Sequence, residues 1–582
     1  MTNNILWGSI VAEELYLGGV RLVCISPGSR STPLVWGLTK LRHFQPDLQL
    51  VVHLDERSAS FFGLGYAKRN GVPVVLICTS GTAPAHYFPA IIEANLSLIP
   101  LIILTADRPP YLRHRGSPQT SDQIKLYGDQ VRYFNDVGLP DPSPTGINGL
   151  RNTIRQAIAC SVGVLGSPKG AVHLNFPFAE PLVDQPNLEY PFFQSVTPSL
   201  LQLTSPQSQV KPELMLAISE KVTQIVEGII ILGIGNFPDN LLDAVLSFSD
   251  RAGYPVLGEA ISLPRSKVIS HYDSFLRSVQ FCSAHVPKLV LRFGGMPTSK
   301  YLCQWLAQHL NHWQEIVISN SFTNPLNGNS QILACDPLWF TKELNQLIPP
   351  RTMHSPWRES FLLANRFSTD ITNNFLSQVT FPFEGIIYQK LAEYLPENAC
   401  LYVANSMPTR DLDTFFRSHK PIKILANKGC NGIDGTIACA LGAAYQQEKP
   451  TVLVCGDIAF YHDLNSLLTA HKYQINLTII LLNNDGGGIF QYLPIANYDP
   501  PFHEFFLTAH GLEFHKLVPA FNCQYQLVTT VEQLERELCL IPAQIGTKVL
   551  EIYIDPQRSY HLHQQLWQRV RTGIEQLFRN GE

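Results

Sequence analysis

The chain is predicted to fold as three doubly wound α/β domains, each on a parallel sheet. Three observations predict this. Short apolar runs recur in every third of the 582 residues, and each ends in a polar or glycine-rich turn. Helix-patterned stretches lie between successive runs, the alternation that builds parallel sheets with right-handed crossovers. The length also exceeds what one core supports, so several domains are required.

In the first third the runs are Leu22–Ile25 before SPGSRS, Leu50–His53 before LDERS, Val74–Ile77 before CTSGTA and Leu101–Leu104 before TADRPP. The middle third repeats the theme with GIIILGIG (228–235), YPVLGEA (254–260), KLVLRFGG (288–295) and EIVISNS (315–321). The last third has CLYVANS (400–406), IKILANKG (422–429), Thr451–Cys455 and Leu477–Leu482. Pro- and Ser-rich or aromatic stretches near 183–212 and 345–360 read as linkers. The expected domains are 1–185, 186–355 and 356–582.

Composition is that of an ordinary globular protein, with 45% hydrophobic and 15% charged residues. The net charge of -4 offers no footprint for nucleic acid or an anionic membrane. No apolar run reaches the length of a membrane span, and MTNNILWGSI does not read as a signal peptide. The 12 cysteines show no CxxC or zinc spacing, and several sit inside strand runs. Reduced thiols and a cytoplasmic location are therefore expected.

The strongest chemical signal is residues 451–490. One run ends in Gly456-Asp457, and the next ends in Asn483-Asn484 before Gly486, Gly487 and Gly488. Open α/β sheets bind ligands at the carboxyl ends of their strands. Asp457 and Asn484 should therefore stand side by side there. A carboxylate, an amide oxygen and the carbonyls of a glycine turn make a hard oxygen site that suits Mg²⁺. The bland alternative is two ordinary turns, with Asp457 capping the next helix.

This pattern resembles the diphosphate-anchoring motif of thiamine diphosphate enzymes, with Ile458 standing where a third small residue is usual. The resemblance implies thiamine diphosphate with Mg²⁺ or Mn²⁺, held through Ser406, Gly432, Ile433, Asp457, Ile458, Asn484 and Gly486. Metal ligands would be Asp457, Asn484 and Gly486. Glu56, after a buried strand and at a helix start, matches the glutamate that activates the cofactor's pyrimidine. Such a carboxyl shares a proton with a ring nitrogen. Read alone, Glu56 is a helix-start acid favoured by the macrodipole. Ile433 matches the apolar residue beneath the bent cofactor, and a core position is its plain alternative.

SPGSRSTPL (26–34), HLDER (53–57), TSGTAPAHYFPAIIEA (79–94), LTADRPP (104–110), FPFAEPL (176–182), GIDG (432–435) and YHDLNSLL (461–468) narrow the resemblance. Together they are similar to the 2-succinyl-5-enolpyruvyl-6-hydroxy-3-cyclohexene-1-carboxylate synthase family of menaquinone and phylloquinone biosynthesis. That family decarboxylates 2-oxoglutarate and adds the resulting succinic semialdehyde carbanion to isochorismate. Both substrates are dicarboxylates, and Arg grips carboxylates bidentately. The resemblance places Ser29, Arg30, Arg108, Gln119, Lys300, Arg410 and Lys428 at substrate contacts, with Ile489 and Phe490 as an apolar wall. Each cation taken singly also reads as a solvated surface charge. Two positions depart from the pattern: Lys428 stands where some members have Arg, and Tyr301 where some have a second cation.

The resemblance further implies a homodimer or dimer of dimers, in which Glu56 of one subunit serves a cofactor anchored on another. The rival readings are another thiamine-dependent decarboxylase or carboligase and a non-catalytic scaffold. The adjacent histidines common in simple decarboxylases do not occur. The LGIGNFP turn (232–238) is an incomplete dinucleotide fingerprint, with Pro238 at the third glycine.

Overall fold

The computed structural model describes residues 2–193, 208–238, 240–262, 267–350 and 355–579. Parts of both expected linkers, 194–207 and 351–354, lie outside them.

The first sheet comprises β1 (Leu22–Ile25), β2 (Gln49–Val52), β3 (Val74–Cys78), β4 (Leu101–Asp107), β5 (Phe134–Asp136) and β6 (Ala171–Pro177), in the order β2-β1-β3-β4-β6-β5. The second comprises β7 (Gly228–Leu232), β8 (Val256–Gly258), β9 (Leu289–Phe293), β10 (Gln314–Ile318) and β11 (Ser330–Leu333), in the order β11-β10-β9-β7-β8. The third comprises β12 (Cys400–Val403), β13 (Lys423–Leu425), β14 (Thr451–Gly456), β15 (Leu477–Asn483), β16 (Gln524–Leu527) and β17 (Thr547–Tyr553), in the order β13-β12-β14-β15-β17-β16. Strand pairs in all three sheets are parallel. Counted from their own first strands, the first and third sheets share one order.

Helices cover both faces of the central strands, so those strands are apolar on both sides. In β3 and β15 every residue is buried. Each order reverses between the first and third strand of its sheet. That reversal opens a crevice at the carboxyl edge where ligands bind. In the second sheet the crevice is closed. A Cβ on Gly233 would stand 1.8 Å from the Gly295 carbonyl oxygen, and one on Gly235 or Gly294 would strike the Phe237 ring at 2.8 or 3.0 Å. The LGIGNFP turn thus packs on its neighbour.

The first and third domains join through two helices, Glu56–Asn70 and Thr436–Ala444. A Cβ at Gly65 would lie 2.0 Å from the Cys439 carbonyl, and one at Gly442 2.0 Å from that of Phe62. The two backbones therefore touch, which only glycine permits at such contacts. Phe61, Phe62 and Leu64 share one core with Ile437, Ala440 and Leu441.

Candidate active site

The crevice of the third sheet lies between β12 and β14. After β12 the chain turns through Asn405 and Ser406 into the helix Met407–Phe415. Ser406 takes φ 74° and ψ -134°, which an L-residue seldom adopts and which clusters at functional turns. Asn405 Nδ2 donates to the carbonyls of Asn427 (2.6 Å) and Gly432 (2.7 Å). It thereby ties this turn to the one carrying Lys428 and Ile433. Asn405 Oδ1 is buried without a partner.

Asp457 opens the helix Asp457–His462 and is 2% exposed. Its Oδ2 accepts the N–H groups of Asn484 and Gly486, both at 3.0 Å, and its Oδ1 accepts that of Ile458 at 2.7 Å. Asp457 and Asn484 thus stand side by side, and the carboxylate organises the glycine turn rather than capping its helix. Burial raises the Asp457 pKa, while the Gly486 and Ile458 donors and His510 oppose that rise.

Beside the carboxylate, Asn484 Oδ1 is buried with no partner. Gly486 has φ 144°, and a Cβ there would meet the Leu507 carbonyl at 2.1 Å; one on Gly488 would meet Asn484 Nδ2 at 2.4 Å. An unpartnered amide oxygen, a buried carboxylate and a side-chain-free turn fit a divalent cation with a diphosphate. His510, far from this segment in sequence, places Nε2 3.3 Å from Asp457 Oδ2 and Nδ1 3.3 Å from Asp485 Oδ1. No local pattern marks it.

Glu56 begins its helix half-buried, and its charge acts on Cys78 at the end of β3. It therefore sits at the carboxyl edge of the first sheet. Its neighbours are tied down by the third domain. Asp55 caps the helix through Ser58 N–H at 3.0 Å and accepts Asn465 Nδ2 at 2.7 Å, so it points away. Arg57 donates to the His462 carbonyl at 2.7 Å and lies 3.5 Å from Asp463. Ser466 Oγ donates to Ser58 Oγ at 3.0 Å. YHDLNS (461–466) therefore braces the backbone on which Glu56 stands.

Asp463 is fully buried, and burial pushes its carboxyl up to about 6, against the Ala438 N–H and Arg57. A folded pKa above the unfolded one contributes stability that is complete below about pH 4 and is lost as pH rises through about 6. The swing is up to about 3 kcal/mol. Asp463→Asn is therefore expected to flatten the pH dependence of Tm. The wild-type advantage should be largest near pH 4 and shrink by pH 7 in scanning calorimetry. Parallel pH curves would remove Asp463 as the cause.

The first sheet gathers one group of candidate substrate contacts. Arg30 is 8% exposed, donates to the Phe178 carbonyl at 3.0 Å and pairs with Glu180 at 2.9 Å. Arg108 donates to Ser80 Oγ and to the Gln119 carbonyl. Burial, then the charge of Arg30, lowers the Arg108 pKa, so the two guanidiniums lie within each other's field. Gln119, at φ 51°, donates to the Ser80 carbonyl at 3.1 Å, and Ser29 is exposed on the turn before Arg30. Ser80 was not singled out by sequence, although TSGTA contains it.

A second group lies on the third sheet. Arg410 is exposed and donates to the Ser406 carbonyl at 2.6 Å. Lys428 is lowered by burial first, with Glu259 opposing and Arg410 adding to the effect. Glu259, on the middle domain, accepts Thr298 N–H at 2.7 Å and Thr298 Oγ1 at 3.1 Å. Lys300 is exposed at the start of the following helix, on the same edge. Tyr301 is no cation, but its ring carries Arg277 at 3.8 Å. Ile489 and Phe490 follow the glycine turn, half-buried. Among the described residues, no hydrogen bond or ion pair joins the Arg30–Arg108 group to Asp457 or Arg410.

Three families match along the chain. They are the thiamine pyrophosphate enzyme N-terminal TPP binding domain over residues 7–126, its middle domain over 201–403 and its C-terminal TPP binding domain over 406–552. A 2-succinyl-5-enolpyruvyl-6-hydroxy-3-cyclohexene-1-carboxylate synthase from Listeria innocua is 38% identical, over 97% of both chains. The chain belongs to this synthase family. Synthases from Chloroflexus aurantiacus (37%, 98% of this chain and 97% of that one) and Geobacillus thermodenitrificans (37%, 99% and 98%) agree. A benzoylformate decarboxylase structure from Polynucleobacter necessarius superposes with a TM-score of 0.69 at 16% identity, covering 94% of this chain and 98% of that one. At that identity the likeness shows the fold, which the synthase family shares with such decarboxylases.

Proposed function

We propose that the protein condenses 2-oxoglutarate with isochorismate, releasing CO₂ and forming 2-succinyl-5-enolpyruvyl-6-hydroxy-3-cyclohexene-1-carboxylate, a step toward menaquinone or phylloquinone. The carrying observation is end-to-end identity of 35–38% with synthases of that name, with Asp457 and Asn484 paired at the switch point. Release of CO₂ from 2-oxoglutarate should require thiamine diphosphate and rise with isochorismate. CO₂ release indifferent to isochorismate would instead mark a plain decarboxylase, and none at all a scaffold.

Thiamine diphosphate, when bound, supplies the carbon nucleophile that accepts a 2-oxo acid and lets CO₂ leave. The unit 356–582 would hold its diphosphate through Mg²⁺ or Mn²⁺ on Asp457, Asn484 and the Gly486 carbonyl, with Ser406, Gly432 and Ile458 lining the cleft. Ile433 would support its ring. The unit 1–185 would present Glu56, whose carboxyl holds a proton against a pyrimidine nitrogen, and 186–355 would contribute Lys300. The closed crevice of the second sheet leaves the middle domain a packing and substrate-facing role. No described helix is long and apolar enough to cross a membrane. The reading places the enzyme in the cytoplasm.

Ser29, Arg30, Arg108, Gln119, Arg410 and Lys428 would grip the carboxylates of the two substrates, and Ile489 and Phe490 would wall the reacting carbon. Leaving a buried carboxylate unpaired costs about 2–5 kcal/mol. Arg30→Ala, Arg108→Ala and Arg410→Ala should each bind thiamine diphosphate normally and lose kcat/KM for one or both substrates. Loss of cofactor affinity with normal substrate kinetics would make them structural.

Glu56 and Asp457 serve one cofactor across a two-fold interface in this reading, so a dimer, or a dimer of dimers, carries equivalent sites. Mixing Glu56→Gln with Asp457→Ala subunits should restore activity, because mixed dimers carry one intact site. Light scattering showing an active monomer, or no rescue after demonstrated exchange, contradicts this.

A further inference from the structure

A buried titratable cluster outside the cofactor cleft connects its two sides. His563, on the helix Pro556–Arg579, is 1% exposed, as is Asp411. His563 Nε2 lies 2.9 Å from Asp411 Oδ1. Its Nδ1 lies 2.8 Å from the Ser559 carbonyl and 3.1 Å from the Tyr492 hydroxyl. Asp411 directly follows Arg410 on the helix Met407–Phe415. Tyr492 ends the turn Gly488–Tyr492, which carries Ile489 and Phe490.

A carbonyl only accepts, so donation to Ser559 puts a proton on Nδ1, in the arrangement where the Tyr492 hydroxyl does not donate to that nitrogen. The Nε2–Oδ1 contact then needs a second proton. The pair therefore holds one proton more than a neutral imidazole beside a carboxylate. Glu384, on the helix Glu384–Tyr394, accepts Ser559 Oγ at 2.7 Å, while its Oε2 and Asp411 Oδ2 are buried without partners. Phe383, Phe415 and Trp567 enclose the imidazole, with ring centroids at 5.1, 5.6 and 5.6 Å. Water is thereby kept off the pair, which strengthens it.

We propose that Asp411 and His563 form a proton-sharing clamp that fixes Arg410 and the Ile489–Phe490 turn relative to each other, making both positioning residues for substrate binding. The inference rests on the assignment of Arg410, Ile489 and Phe490 to the substrate pocket. Burial pulls the His563 pKa down, but Asp411 and Glu384 outweigh it and leave it raised. Burial, then Asp411, raises that of Glu384. The groups facing the imidazole are Asp411, Glu384 and Tyr492, with Tyr388 beside Asp411 and Glu384 and Tyr560 beside Tyr492. The clamp is thus held at pH values where a free imidazole has already lost its proton, and it is lost as pH rises through the raised value.

His563→Gln, Asp411→Asn and Tyr492→Phe are to be compared with Arg410→Ala for thiamine diphosphate affinity and for kcat and kcat/KM against pH. In histidine-labelled protein, the imidazole signal that His563→Gln removes should lose its second proton at a higher pH than the exposed histidines do. His563→Gln and Asp411→Asn should lose about 10- to 100-fold in kcat/KM for 2-oxoglutarate, with less change in kcat and unchanged cofactor affinity. Asp411→Asn should also move the alkaline limb to lower pH. A His563 signal that loses its second proton no later than theirs, or equal loss of kcat and kcat/KM with an unmoved limb, overturns the clamp. An impaired Arg410→Ala beside normal clamp variants also overturns it, whereas a fully active Arg410→Ala overturns the pocket assignment itself. If His563→Gln does not fold, unaltered kcat/KM and pH limbs in both Asp411→Asn and Tyr492→Phe have the same force.

Discussion

Glu56→Gln is expected to bind thiamine diphosphate with near-normal affinity and to lose about 10²–10⁴-fold in turnover, the usual worth of a positioned acid–base group. The amide keeps the size of the carboxyl but cannot share a proton with the pyrimidine nitrogen. Little of the loss should come from misfolding. The helix start is held by its neighbours: Asp55 caps it, and Arg57 and Ser58 reach His462 and Ser466. Steady-state rates of the purified variant, with cofactor affinity measured separately, test this. Wild-type turnover would remove Glu56 from the chemistry.

Asp457→Ala is expected to abolish metal-dependent cofactor binding, because the carboxylate has two tasks. Among the proposed ligands Asp457, Asn484 and Gly486 it would supply the one negative charge to the cation, the main counter-charge to a diphosphate. It also accepts the N–H groups of Asn484, Gly486 and Ile458, so its removal releases the turn that carries the other ligands. Asp457→Asn separates the tasks in part, since its one amide oxygen can still accept the Asn484 and Gly486 N–H groups, at the expense of the Ile458 one, but brings no charge. Calorimetric titration with thiamine diphosphate and Mg²⁺ should show no binding for the alanine variant and weakened binding for the asparagine. Unchanged affinity in both would place the anchor elsewhere.

The central strands were legible because a strand buried on both faces is a continuous apolar run. Thr451–Cys455 and Leu477–Leu482 fall within β14 and β15 almost residue for residue. Five strands, β5, β6, β11, β16 and β17, were not among the runs read from sequence. In β6 the reason is chemical: His173 and Asn175 interrupt the run, and both are buried because Thr105 Oγ1 meets them at 2.7 and 2.9 Å. In β17 the interruption is Glu551, fully buried because Asn483 and Tyr525 donate to it. Polar residues count against a strand until their partners are known, and those partners are remote in sequence.

The sequence by itself determined the α/β class, the three sheets, the Asp457–Asn484 pairing and the family, because each rests on local periodicity or on a short motif. Tertiary structure alone decided what no local pattern encodes. It brought His510 to within 3.3 Å of Asp457, braced the Glu56 helix with residues 462–466, and buried Asp411 against His563. Those contacts span 53, 405 and 152 residues. Their geometry depends on how sheets, crossovers and domains pack, and the chemistry of one buried group is set by whichever distant group the fold places beside it.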